Sequence, residues 1–197
     1  MERLRTMRTI VWDVDDVLNS LMAAWFHQCW LPEHTDCRVT YAAIRANPPH
    51  AVLGIEESEY LRSLDGFRAS DSGRGLAPNP EILGWMREHG YRFRHMALTA
   101  RPLASAGTAA EWVFRHFGVY IRCYGVVPAR LDAAAPAYDR DKADFLRWFQ
   151  EADYFLDDSA ANVAAVSELG VKALLFPQPW NGSSLSVEDT LKLLVAL

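Results

Sequence analysis

The sequence predicts an α/β fold built on a mostly parallel sheet. Three observations support this prediction. Short β-branched and aromatic runs alternate with segments of helical periodicity, glycine and proline separate many of these segments, and half of the 197 residues are hydrophobic. A chain of this length and composition can bury the core of one domain and still carry a small insertion.

The first predicted strand covers residues 9–14, where β-branched and aromatic residues lead directly into acidic ones. A helix is predicted at residues 20–31, because its apolar side chains recur at helical spacing, and Pro32 is expected to stop it. A second helical pattern follows at 56–64, and residues 71–75 form a turn-rich stretch.

This irregular region predicts an insertion. We expect residues 20–78 to form a small, mostly helical cap, and residues 1–19 and 79–197 to form the core domain.

After residue 79 the pattern becomes regular. Helices are predicted at 80–89, 103–117, 141–151, 160–169 and 187–197, and strands at 91–98, 121–127, 154–156 and 171–176. Strands that alternate with helices in this way form parallel sheets with right-handed crossovers.

Composition narrows the class of partner. The formal net charge of −5 argues against binding to a nucleic acid polymer, which needs clustered lysine and arginine. Cys29, Cys37 and Cys123 match no zinc spacing and are expected to be free thiols in a reducing cytoplasm. Because no stretch reaches the ~20 apolar residues that a membrane span needs, we predict no membrane association.

Polar residues follow three predicted strands at the ends where ligands bind in open α/β sheets. The first strand leads into Asp13-Val14-Asp15, another into Thr99-Ala100-Arg101, and a third into Asp157-Asp158, while Lys142 opens the helix before that third strand. The sequence therefore predicts that acids, a hydroxyl and a lysine converge on one rim of the sheet.

Such a cluster favours a divalent cation. Neighbouring carboxylates repel one another, and Mg²⁺ with oxygen ligands relieves that repulsion while it holds substrate phosphate. Lys142 can neutralise an anionic substrate and Thr99 can donate to a phosphoryl oxygen, as phosphoryl transfer requires. At a strand end, Asp13 and Asp15 would flank one reacting centre, so one can attack while the other moves a proton.

Other residues have two interpretations. Arg101 could touch phosphate or form a surface ion pair. Trp25, Phe26 and Trp30 could stack on a nucleobase, but packing in the core of the cap is favoured. Arg62 and Arg68 are expected to be solvated.

Four segments of the chain resemble the motifs of the haloacid dehalogenase superfamily of phosphatases. They are Trp12-Asp13-Val14-Asp15-Asp16-Val17-Leu18, Leu98-Thr99-Ala100, Arg140-Asp141-Lys142, and Leu156-Asp157-Asp158-Ser159 with Asn162 after it. The resemblance spans residues 9–163 and implies a Rossmann-like three-layer sandwich in which the cap excludes water and selects the substrate.

The resemblance also implies the role of each residue. Asp13 would be the nucleophile that forms an aspartyl-phosphate, and Asp15 the general acid and base. Mg²⁺ would be held by Asp13, Asp158 and the backbone carbonyl of Asp15, with Asp157 as an indirect or alternative ligand. Thr99, Ala100 and Lys142 would bind the phosphoryl group, together with Arg101 if it reaches it.

The substrate expected from this resemblance is a small phosphorylated metabolite. The helical cap and Arg140-Asp141-Lys142 are similar to the 5′(3′)-deoxyribonucleotidase branch, which indicates a nucleotide, although that branch usually has glycine where this chain has Asp16. A phosphomutase or other phosphotransferase, and a non-catalytic protein that binds a phosphorylated ligand, are the alternatives on the same fold. A signalling receiver module is disfavoured because Lys142 precedes Asp157 and Asp158 in the chain.

Overall fold

A computed structural model of the protein describes residues 7–129, 136 and 138–195. Five parallel strands form one sheet in the order β3-β2-β1-β4-β5. They are β1 (Thr9–Trp12), β2 (Arg94–Arg101), β3 (Ile121–Pro128), β4 (Tyr154–Asp157) and β5 (Lys172–Leu175). The predicted α/β fold is confirmed, and the sheet is parallel throughout.

Helices cover both faces of the sheet. Ile10 and Trp12 point to the face that packs against α6 (Pro80–His89), α7 (Leu103–Phe117) and α10 (Val187–Val195). Val11 points to the opposite face, which packs against α8 (Lys142–Phe149) and α9 (Ala160–Ser167). This alternation along β1 follows from the two-residue period of a strand and produces the three layers. The last two residues of the predicted helix 187–197 lie outside the described residues.

The region between β1 and α6 is helical. A helical run comprises α1 (Leu21–Trp25), a π-helical turn (Phe26–Trp30) and α2 (Leu31–Glu33), and the shorter α3 (His50–Leu53), the long α4 (Glu57–Ala69) and α5 (Asp71–Arg74) follow. Residues 21–78 are here called the cap, and their apolar side chains form a cluster that is separate from the two clusters of the sheet. The N–H of Asn79 donates to the carbonyl of Leu18 (2.8 Å), so the chain leaves and re-enters the core at adjacent points. The domain boundaries at 19/20 and 78/79 stay a prediction.

Several boundaries differ from the predicted ones: for example, β1 ends at Trp12 and α4 extends to Ala69. Three differences are informative. The chain continues helically through Pro32 and ends at Glu33, although Pro32 has no N–H to donate to the preceding turn. The stretch 71–75 is not a simple turn, because it contains the short helix α5. Ser70 is the N-cap residue of this helix, and its hydroxyl accepts from the N–H of Gly73. Strand β2 starts three residues late, since Gly90–Arg92 form a 3₁₀ turn.

A buried histidine connects β1 and β2. The indole N–H of Trp12 donates to Nδ1 of His95 (3.0 Å), and Nε2 of His95 donates to the carbonyl of Gly90 (2.8 Å). An acceptor at Nδ1 and a donor at Nε2 require a neutral ring. Burial lowers the pKa of His95, which agrees with this hydrogen-bond pattern.

We expect His95 to make the fold less stable in acid. Because the folded pKa is lowered, the unfolded chain takes up a proton first, and stability is lost as pH falls below the unfolded value of about 6.5. Urea unfolding of the wild type and of His95→Gln between pH 5 and 8 would measure it. For each protein, the free energy of unfolding is plotted against pH, and the contribution of His95 is the difference between the two slopes. Equal slopes would contradict the prediction.

Candidate active site

The carboxyl end of β1 carries the predicted nucleophile. The N–H of Asp13 donates to the carbonyl of Leu156 in β4 (2.9 Å), which fixes the backbone where the strand ends. The side chain is buried, and its Oδ1 accepts from the N–H of Val14 (2.7 Å). Asp13 is therefore held against the middle of the sheet.

Lys142 reaches the same point from α8. The Asp141 carboxylate caps this helix by accepting from the N–H of Asp144 (2.8 Å), which makes Lys142 its first residue. Its Nζ lies 2.6 Å from Oδ1 of Asp13 and 2.7 Å from Oδ2 of Asp157. Burial alone would lower the pKa of Lys142, but these two carboxylates raise it above its ordinary value, so the ammonium stays charged.

Three carboxylates converge beside Lys142. Asp13, Asp157 and Asp158 each place an oxygen within 4.8 Å of the others. Burial raises the pKa of Asp13 well above its usual range despite Lys142, and burial together with Asp157 raises the pKa of Asp158 to about 6. Buried acids that repel one another suit a hard divalent cation with oxygen ligands.

The three acids are not equivalent. Asp157 accepts from Nζ of Lys142 (2.7 Å), Nδ2 of Asn162 (3.1 Å) and the N–H of Ser159 (2.8 Å), so its oxygens are occupied. Asp158 accepts from the indole N–H of Trp180 through Oδ2 (2.9 Å). Asp13 and Asp158 therefore fit direct metal ligands better than Asp157 does.

Asp15 has different neighbours. Its carboxylate accepts from Nε of Arg101 (2.7 Å) and also from Nη2 of Arg101, and Nη2 of Arg68 donates to it at 3.1 Å. Burial alone would raise the pKa of Asp15, but the two guanidinium groups hold it well below its usual range. In this arrangement Asp15 is ionised and holds a proton only weakly. To donate one to a leaving group, it must first lose part of this positive surrounding.

Asp16 is a fourth buried acid at the site, and the predicted site did not include it. Its backbone has the left-handed conformation (φ 60°), which is uncommon for a residue other than glycine although aspartate is enriched there. Oδ1 of Asp16 accepts from the N–H of Met22 (2.8 Å), which connects the loop to the first cap helix. Burial and the carboxylates of Asp158 and Asp15 raise its pKa well above the ordinary value.

A cavity of about 150 Å³ lies between these groups and the cap. From the core it is lined by Asp13, Asp15, Asp16, Thr99, Ala100, Lys142, Asp158 and Asn162. From the cap it is lined by Leu21, Met22, Asn47, Tyr60, Leu64 and Arg68. The predicted site residues thus share one cavity, apart from Arg101, which contacts Asp15, and Asp157, which lies beneath Lys142.

The expectations for the cap had different outcomes. Trp25, Phe26 and Trp30 are buried in the cap cluster, which confirms core packing. Arg62 is exposed as expected. The expectation for Arg68 was wrong, because its guanidinium is directed inward to Asp15.

A second, larger cavity of about 650 Å³ lies at the opposite, amino end of the strands. It is lined by residues such as Thr9, Phe93, His95 and Tyr120, and by none of the predicted site residues. We place the chemistry in the smaller cavity, because ligands of parallel sheets bind at the carboxyl ends of the strands.

The loop after β5 also reaches the site. Besides Trp180, Nε2 of Gln178 donates to the carbonyl of Asp16 (2.5 Å), and Nδ2 of Asn181 donates to the carbonyl of Asp158 (2.8 Å). The Trp180 ring packs edge-on against Tyr41 of the cap, with centroids 6.2 Å apart. This loop therefore supports Asp16 and Asp158 and contacts the cap.

No family model and no curated protein matches the sequence. The fold is shared with solved structures of haloacid dehalogenase-like hydrolases. One is named as a phosphoglycolate phosphatase from Lactobacillus plantarum (14% identity, 98% of this chain and 100% of that chain, TM-score 0.60). Another is a hydrolase of that superfamily from Bacillus subtilis bound to magnesium (13% identity, 98% and 99%, TM-score 0.57). A third is named as a β-phosphoglucomutase from Thermotoga maritima (14% identity, 97% and 100%, TM-score 0.55).

These likenesses establish that the chain has the haloacid dehalogenase-like fold. The neighbours are named for different reactions, so the fold does not select among them. In the part of the chain that the structure describes, no helix is long and apolar enough to cross a membrane.

Proposed function

We propose that the protein is a Mg²⁺-dependent phosphomonoester hydrolase that acts through an aspartyl-phosphate on Asp13. The observation that carries the proposal is the position of Lys142, whose Nζ lies 2.6 Å from Asp13 beside two further buried acids. A lysine here can neutralise the phosphoryl oxygens, while Asp13 is fixed at the strand end.

Each step can be assigned to a residue of the chain. The Asp13 carboxylate attacks phosphorus, and the bond from phosphorus to the ester oxygen breaks. Asp15 gives the departing oxygen a proton, which it must first take up from solvent as its contacts with the arginines loosen. Asp15 then takes a proton from water, which attacks the phosphorus and releases inorganic phosphate and free Asp13. Thr99 and Ala100 line the cavity where the phosphoryl group would lie.

Asp13, Asp158 and the backbone carbonyl of Asp15 would hold the Mg²⁺ ion. When bound, it would neutralise the acids and the charge on the phosphoryl group. We expect activity to disappear in excess chelator and to return when Mg²⁺ is added. A cytoplasmic location, which suits the three free cysteines, is part of the same proposal.

The size of the cavity bears on the substrate. Its volume of about 150 Å³ equals roughly five water molecules of about 30 Å³ each, and cavities for larger ligands reach about 300 Å³ or more. A phosphoryl group with a few further atoms fits, whereas a nucleotide would require the cap to open. The cavity therefore favours small phosphorylated metabolites over the nucleotide that the deoxyribonucleotidase-like motif indicates.

Phosphate release from a panel of phosphomonoesters at neutral pH with Mg²⁺ tests the function. The panel should include small phosphorylated acids, sugar phosphates and deoxynucleoside monophosphates. Release of inorganic phosphate supports the hydrolase. Conversion of a sugar phosphate to its isomer without release would identify a mutase, and binding without turnover would identify a ligand-binding protein.

Trp180 offers a direct test of metal binding. We expect Trp180→Phe to weaken Mg²⁺ binding roughly 10- to 100-fold, because the ring keeps its contact with Tyr41 but no longer donates to the Asp158 carboxylate. Calorimetric titration with Mg²⁺ measures the change. Trp148→Phe, at a tryptophan that is 61% exposed, is the matched control. An unchanged Mg²⁺ affinity in Trp180→Phe would contradict the prediction.

A further inference from the structure

Arg68 is the one cation that the cap contributes among the described residues lining the cavity. It lies near the end of α4, and its side chain is only 11% exposed. Nη1 donates to Oδ1 of Asp65 (3.0 Å) and Nη2 to Oδ2 of Asp15 (3.1 Å). Nε is buried and has no hydrogen-bond partner among the residues that the structure describes. A buried, partly unpaired guanidinium beside the reacting centre has the capacity to bind an anion.

The two arginines on Asp15 differ in how firmly they are held. Arg101 belongs to β2, is 7% exposed and contacts Asp15 through both Nε and Nη2. Arg68 belongs to the cap and contacts Asp15 through Nη2 alone. Arg68 is therefore the arginine that can exchange Asp15 for another carboxylate, and its Nε and Nη2 form the fork that binds a carboxylate in bidentate fashion.

Arg68 lies on the leaving-group side of the cavity. The phosphoryl group is expected beside Asp13 and Lys142, which are in contact with each other. Asp15, which would protonate the departing oxygen, is the residue that Arg68 contacts. An anion bound by Arg68 would thus belong to the part of the substrate that leaves.

We propose that Arg68 binds a second anionic group of the substrate and that this group is a carboxylate. The substrate is then a small phosphorylated carboxylic acid, a proposal that rests on the proposed function. The cavity of about 150 Å³ leaves room for a spacer of roughly two to four atoms between the phosphate and the carboxylate. The apolar side chains of Leu21, Met22 and Leu64, which line the cap side, would contact such a spacer.

Two pairs of esters test the proposal, since the members of each pair differ chiefly in a carboxylate. They are phosphoglycolate with ethyl phosphate, and O-phosphoserine with phosphoethanolamine. We expect the wild type to have a kcat/KM roughly 100-fold higher for at least one carboxylate-bearing ester than for its partner. In Arg68→Gln the ratio of the two kcat/KM values should fall to about tenfold or less. Arg68→Lys should restore only part of the preference, because lysine cannot form the bidentate contact. Arg62→Gln, at an exposed arginine of the same helix, should keep the wild-type preference.

The affinity of each ester for the Asp13→Asn variant, measured by calorimetry, tests this proposal independently of the proposed function, because binding needs no turnover. Tighter binding of a carboxylate-bearing ester, lost on adding Arg68→Gln, supports the role of Arg68 even if no ester is hydrolysed. Hydrolysis of both members of each pair at equal kcat/KM would overturn the substrate class and leave the hydrolase standing. Equal affinities for both members of each pair, or a preference that survives Arg68→Gln in a variant folded by circular dichroism, would also overturn it.

Discussion

Asp13→Asn is expected to lower phosphate release by roughly 10⁴-fold or more while the protein stays folded. An amide oxygen is a poor nucleophile, and no other described carboxylate contacts Lys142 from the end of β1. The N–H of Asp13 still donates to Leu156, because that bond belongs to the backbone. Loss of activity should therefore come from chemistry and not from unfolding.

The same substitution has a second expected effect, on stability. Burial and the carboxylates of Asp157 and Asp158 make the ionised form of Asp13 unfavourable, although Lys142 offsets part of this. A neutral side chain of the same shape removes that repulsion, and Lys142 keeps its contact with Asp157 (2.7 Å). In metal-free buffer we expect the variant to unfold at a urea concentration equal to or above that of the wild type.

Phosphate release and urea unfolding, measured on the same preparations, check both effects. Asp36→Asn, at an exposed aspartate of the cap region, is the matched control and should change neither. Near-normal phosphate release by Asp13→Asn would exclude Asp13 as the nucleophile. A variant that fails to fold would show that Asp13 is needed for structure.

The sheet and the centre of the site could be predicted because they depend on local pattern. β-branched runs identify buried parallel strands, and the ends of such strands meet at one edge. Asp13, Thr99 and Asp158 follow this rule. Lys142 could be placed with them because it begins the helix before β4.

Residues that reach the site from a distance could not be placed by this reasoning. Trp180 lies in a loop after β5, and its bond to Asp158 depends on the path of that loop, which no periodicity encodes. Arg68 did leave a signal. Tyr60, Leu64 and Phe67 form the buried stripe of α4, and Arg68 follows Leu64 by four residues, so it continues that stripe. A cation on the apolar face of a helix needs an anion inside the protein, and here that anion is Asp15.

Strand β2 shows the limit of composition. Residues 91–93 look suited to a strand, yet Tyr91 is 72% exposed and the chain first completes a 3₁₀ turn in which the N–H of Phe93 donates to Gly90. The helix before it decides where the strand can begin, which propensity alone does not show.

Without metal, the protein is expected to lose stability as pH rises from mildly acidic to neutral values. Asp13, Asp16 and Asp158 all have raised pKa values in the folded state, chiefly through burial, and that of Asp158 is about 6. The folded protein then binds protons that the unfolded chain has released above about pH 4, so stability is greatest below that pH and falls through the folded pKa values. Asp15 and His95 have the opposite sign, but the pKa of Asp15 is so low that its contribution changes little above pH 4, and His95 is one group against three acids.

Mg²⁺ is expected to reverse this trend, because it binds the ionised carboxylates and competes with protons for them. At a concentration 100-fold above its dissociation constant, an ion that binds only the folded state adds about 2.7 kcal/mol to the free energy of unfolding. This increment should be large at pH 7.5 and small at pH 5. Urea unfolding at pH 5 and at pH 7.5, in chelator and in Mg²⁺, measures this increment. Asp158→Asn should reduce the pH dependence of stability and also the increment that Mg²⁺ adds. The acid cluster would be excluded as the metal site if the Mg²⁺ increment were absent at pH 7.5 or equal at both pH values. Either result would mean that Mg²⁺ binding does not depend on the charge of these carboxylates.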